Sequence, residues 1–95
     1  MQVHSIGVYD LGRSYLLYSP SSGNNCSVML KTKDLGNATE MEAYIAIPSK
    51  GVLRYDVGKY KYYAGPVRVY AKNTCVTFGG VIDGFDVDSG LHGCN

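Results

Sequence analysis

A chain of 95 residues has room for one modest hydrophobic core and no second domain. Nine basic against eight acidic side chains leave a net charge of +1, too little to single out nucleic acid or an anionic membrane as the partner. The charge is unevenly spread: residues 1–49 sum to −1, residues 50–72 to +5 and residues 73–95 to −3.

Helical periodicity is almost absent, while period-two runs and turn signals recur along the whole chain. Residues 3–9 read as a first strand, ended by Asp10-Leu11-Gly12, and residues 13–19, with Tyr15, Leu16, Leu17 and Tyr18, as a second. Pro20, Ser21, Ser22, Gly23, Asn24 and Asn25 make a turn cluster. A third strand follows over residues 26–32 with Cys26, Val28 and Leu30 on one face. After the Asp34-Leu35-Gly36-Asn37 turn, residues 41–47 alternate Met41, Ala43, Ile45 and Ile47 against Glu42, Tyr44 and Ala46. Pro48-Ser49-Lys50-Gly51 leads into a strand over residues 52–57, and Gly58 separates it from another over residues 59–64. Pro66 marks a strand start or edge, Gly65 permits a bulge or corner, and Val67, Val69 and Ala71 form the next alternating face. Residues 74–78 make a strand that Gly79-Gly80 breaks, and residues 81–95 are a Gly- and Asp-rich tail with room for one short edge strand. Together these signals predict an all-β fold, residues 1–95 being one antiparallel sandwich or small barrel of seven to eight short strands. Residues 81–95 pack on it or trail it.

Cys26 and Cys75 each sit in a strand-like apolar run with 48 residues between them, which points to an inter-strand or inter-sheet disulfide. Closing a loop of that length stabilises a fold by about 4 kcal/mol on the chain-entropy estimate, and it implies an oxidising compartment. The alternative is two reduced, buried thiols. Cys94 is left over, as a free thiol, a bridge between molecules or one half of a pair whose partner is missing. The opening residues show no basic n-region, apolar h-region or cleavage site, and no stretch has the length of a membrane-spanning helix. With the cysteines, this favours an exported chain whose signal has been removed over a cytosolic one.

Residues with reactive side chains do not assemble into a recognised catalytic motif. His4, His92 and Cys94 lack the paired spacing of zinc sites, and neither Ser5 with His4 and Asp10 nor Ser89 with His92 and Asp88 comes with a nucleophile elbow. No catalysis, metal or cofactor is expected. Asp83, Asp86 and Asp88 place three carboxylates in six residues, but without an EF-hand pattern a solvated acidic turn is favoured over a calcium loop. The richest surface signal is aromatic and basic: Arg54, Tyr55, Tyr60, Tyr62, Tyr63, Arg68 and Tyr70 crowd one stretch, flanked by lysines. Exposed tyrosine and arginine are the chemistry of protein-binding hot spots, and the same rings stack on sugars. The alternative is tyrosine standing in for phenylalanine at half-buried strand positions.

Several segments, in order and at compatible spacing, carry a resemblance. They are Tyr15-Leu16-Leu17-Tyr18-Ser19, Gly23-Asn24-Asn25-Cys26-Ser27-Val28, Tyr62-Tyr63-Ala64-Gly65-Pro66-Val67 and Cys75-Val76-Thr77-Phe78-Gly79-Gly80, with Gly93-Cys94 near the end. The chain resembles the small secreted proteins of the spore-associated protein A family of filamentous actinobacteria. That resemblance implies export by a cleaved signal peptide and two disulfides, one mapping onto Cys26 and Cys75. The other would join Cys94 to a cysteine near the mature N-terminus, but no cysteine precedes Cys26, which leaves Cys94 unpaired. The expectation is a secreted or spore-surface interaction module, an adaptor that binds another secreted or cell-surface protein without inserting in a membrane or binding nucleic acid. Open strand edges offer a second way to join a partner. The alternatives are a cell-wall or polysaccharide binder and a small secreted hydrolase or toxin.

Overall fold

The computed structural model describes residues 2–19 and 21–90, and these form eight strands in two four-stranded antiparallel sheets. The strands are β1 (Gln2–Val8), β2 (Gly12–Tyr18), β3 (Asn24–Lys31), β4 (Thr39–Ile47), β5 (Val52–Tyr60), β6 (Tyr63–Tyr70), β7 (Thr77–Ile82) and β8 (Phe85–Asp88). The first sheet runs β1-β2-β3-β6 and the second β5-β4-β7-β8, so the fold is a sandwich with four edges rather than a closed barrel. The chain passes between sheets three times, after β3, after β5 and after β6. One short 3-10 turn, Pro48–Lys50, precedes β5 and ends at Gly51, whose left-handed backbone (φ 66°) a side chain would strain.

The inner faces follow from strand alternation. Met41, Ala43, Ile45 and Ile47 all point inward from β4, as their spacing predicts. Leu16, Tyr18, Ile45, Ile47, Val69, Ala71, Val76 and Phe78 form one buried cluster, and Val8, Met29, Met41, Ala43, Ala64 and Ile82 a second. The edge strand β6 takes Pro66 through a cis Gly65–Pro66 bond, and its pairing to β3 slips between Ser27 and Met29. Pro66 is tolerated there because an edge strand has one side without ladder bonds.

Several element boundaries differ from the sequence expectation, two of them at glycines. β5 continues through Gly58 to Tyr60, so residues 59–64 are not a separate strand. β7 runs through Gly79-Gly80 instead of ending there. A side chain has no room at either position: a Cβ on Gly79 would lie 2.1 Å from the Val87 carbonyl oxygen, and one on Gly80 1.9 Å from that of Glu42. These glycines mark close backbone approach inside a sheet, the other meaning of glycine in a strand.

The expected Cys26–Cys75 staple is absent, because Cys26 carries a free thiol. On β3 the buried positions are Asn25, Ser27, Met29 and Lys31, which turns Cys26, Val28 and Leu30 onto the outer face, away from the other sheet. Cys75 is disulfide-bonded to a partner other than Cys26, and Cys94 lies outside the described residues.

Buried Lys31 shapes one end of the sandwich. Its ammonium donates to the Asp34 carbonyl (2.7 Å), the Asn37 carbonyl (2.6 Å) and the Thr39 hydroxyl (2.6 Å), so its three protons hold the β3–β4 connection in place.

Candidate interaction surface

The tyrosine- and arginine-rich stretch maps onto β5, the turn at residues 61–62 and β6. Because β5 edges one sheet and β6 the other, its side chains reach three different places. Tyr63, Arg68 and Tyr70 are exposed on the outer face of the β1-β2-β3-β6 sheet, where Tyr63 stands opposite Leu30, Arg68 opposite Cys26 and Tyr70 opposite Asn24. The Arg68 Nε–H donates to the Cys26 sulfur at 3.3 Å. Tyr62 is exposed at the turn, where Tyr60, Lys61, Tyr62, Tyr63 and Gly65 line a shallow groove of about 350 Å³.

Tyr55 belongs to the opposite outer face, and Arg54, its neighbour along β5, points the other way. Tyr60 is half-buried against the second core cluster. Its hydroxyl donates to Asp56, and that bond raises the phenol above its ordinary pKa. Asp56 also accepts from the Gly65 N–H (2.9 Å), tying β5 to the bend in β6. Tyr60 is therefore structural.

Sequence reasoning missed a second surface. On the outer face of the β5-β4-β7-β8 sheet, Leu53, Tyr55 and Val57 are all exposed and stand opposite Ala46, Tyr44 and Glu42. Tyr44 reaches across side-chain-free Gly79 and donates to Asp88 on β8 at 2.5 Å. Partial burial, and then the Asp88 bond and nearby carboxylates, push the Tyr44 phenol well above its usual pKa. Glu42, Tyr44, Leu53 and Tyr55 frame another groove of about 350 Å³. The signal was present in β5, where Leu53, Tyr55 and Val57 alternate with Arg54 and Asp56, but period two alone does not say which set faces out.

The remaining candidates are separated by the fold. His4 and Ser5 are adjacent on β1 and point to opposite faces: His4 stacks on Tyr18 (centroids 5.6 Å apart), while Ser5 accepts from Arg13 at 3.0 Å. Asp10 instead pairs with Lys33 at 3.2 Å, which lowers its carboxyl pKa. Asp83 sits in the β7–β8 turn, Asp86 stands opposite Val81, and Asp88 accepts from Tyr44 and from the Gly90 N–H. Ser89 accepts from the Phe78 N–H and donates to the Gly90 carbonyl. No three His, Cys, Asp or Glu side chains converge as a metal site among the described residues. His92 and Cys94 lie outside them. At another corner exposed Tyr9 and Phe85 meet edge to face at 5.2 Å, joining the β1–β2 turn to β8.

No protein-family model matches the chain, and no solved structure matches it significantly. A curated relative does: Spore-associated protein A of Streptomyces coelicolor is 41% identical over 80 residues, which is 84% of this chain. Those residues are 51% of the relative, so the chain spans about half the length of the curated protein it matches. Identity at that level over most of the chain makes it a homologue of Spore-associated protein A.

Proposed function

We propose that this protein is a secreted, spore-surface interaction module that works by binding another secreted or cell-surface protein rather than by catalysis. One observation carries the reading: Tyr55, Tyr62, Tyr63 and Tyr70 are 58, 56, 52 and 64% exposed, so most of the aromatic stretch is spent on the surface rather than in the core. Large exposed rings beside arginine give contact area and directed hydrogen bonds at low entropic cost. The homologue's name supports a spore-surface location. A second reading, glycan binding, draws on the groove at Tyr62 and Tyr63, where rings present faces on which a sugar can stack.

The test is a pull-down of the tagged protein against spore-surface and secreted fractions, read by mass spectrometry. The expected result is one protein at near-stoichiometric yield, weakened roughly tenfold by Tyr62→Ala or Arg68→Ala. Retention of wall material with no enriched protein would reject the module reading in favour of glycan binding.

A further inference from the structure

The two broad outer faces are both apolar, and they carry opposite charge. On the β1-β2-β3-β6 sheet, Val3, Leu30, Tyr63 and Tyr70 are exposed, and the charged strand residues of that outer face are Arg13 and Arg68. Arg13 bonds Ser5 and Arg68 bonds Cys26, and neither guanidinium meets a carboxylate among the described residues. On the β5-β4-β7-β8 sheet, Leu53, Tyr55 and Val57 are exposed beside Glu42, Asp86 and Asp88. The one lysine on that outer face, Lys59, stands opposite a further carboxylate, Glu40.

We infer that a second copy of this chain covers each face, the basic sheet of one molecule docking on the acidic sheet of the next. Charge complementarity selects this occupant, because both halves of the match lie on one chain whose net charge is only +1. A contact between different faces is heterologous, and since the two faces lie on opposite sides of the sandwich it does not close on itself. The molecules therefore stack into an open-ended column. This inference draws on Tyr55, Tyr63, Arg68 and Tyr70, which partner binding also uses, so a second copy and another protein compete for these faces; it is read on the pure protein, and its failure there leaves partner binding in place.

Sedimentation velocity over a wide concentration range, at low and high ionic strength, tests it. The expected mass rises with concentration without a plateau and falls as salt screens the faces. Arg13→Glu with Arg68→Glu makes both faces acidic, and Glu42→Lys with Asp86→Lys makes both basic. Each double variant should associate at least about tenfold more weakly than the parent. An equimolar mixture of the two variants should regain growth, since each then offers the other opposite faces, and that recovery also shows that both are folded. Maleimide labelling of Cys26, on the basic face, should slow as the mixture assembles. A parent protein that stays monomeric, growth that stops at a dimer, or a mixture that does not recover would overturn the proposal.

Discussion

At the scale of the residue, the least expected side chain is Lys31, a charged group in the interior that the fold uses as an internal cation. Two carbonyls and a hydroxyl converge on its ammonium, and removing it takes a charged donor from all three, leaving the Asp34 carbonyl with the Asn37 N–H and the Asn37 carbonyl with the Thr39 hydroxyl. Lys31→Met should therefore cost about 2–3 kcal/mol despite its similar length, visible as a lower urea midpoint. Tyr44 gives the second residue-level prediction. Its phenol is raised above the ordinary value, so folding favours the neutral form. That stabilisation is complete below the unfolded pKa of about 10 and fades as pH rises through the higher folded value. The urea midpoint of the parent protein should fall between mildly alkaline pH and pH about 11, and Tyr44→Phe should flatten that fall. A Tyr60→Phe variant should flatten it in the same sense, since the Asp56 bond raises that phenol too. The residue scale is also where the sequence misled. Cys26, Val28 and Leu30 share a face as their spacing predicts, but it is the outer one, and Asn25, Ser27, Met29 and Lys31 are the buried set. Alternation reveals a period but not its phase, and here the outer face carries apolar side chains as well.

At the scale of the element, most strands were legible and the glycines were not. β4 could be read directly because its two faces differ so sharply in polarity. Pro66 marked either a strand start or an edge, and it lies inside the edge strand β6. Gly79-Gly80 was taken as a break because glycine carries no pattern, and the reason for it resides in strands far away in sequence: the carbonyls of Val87 and Glu42 leave no space for a side chain. Gly80→Ala should accordingly destabilise the protein by about 3 kcal/mol or more through displaced backbone, measured as a loss of melting temperature. A loss below about 1 kcal/mol would mean that β7 and β4 separate easily. The candidate surface was half visible in the same sense. Its residue types were evident in the 50–72 stretch, but the division of that stretch between two sheets follows from pairing partners, which local sequence does not disclose.

At the scale of the whole molecule, the order in which the strands enter the sheets has a kinetic meaning. β6 completes the first sheet only after β4 and β5 have begun the second, and β7 and β8 complete the second only after β6 has returned. The two sheets are interleaved along the chain, so neither can be finished before the other is under way. Pairings such as β3 with β6 must wait for a long loop to close, which places this fold among the slower-folding small domains. It also leaves no half of the molecule able to survive by itself: a break between β5 and β6 robs both sheets of a member at once, and the domain is made or lost as a single unit.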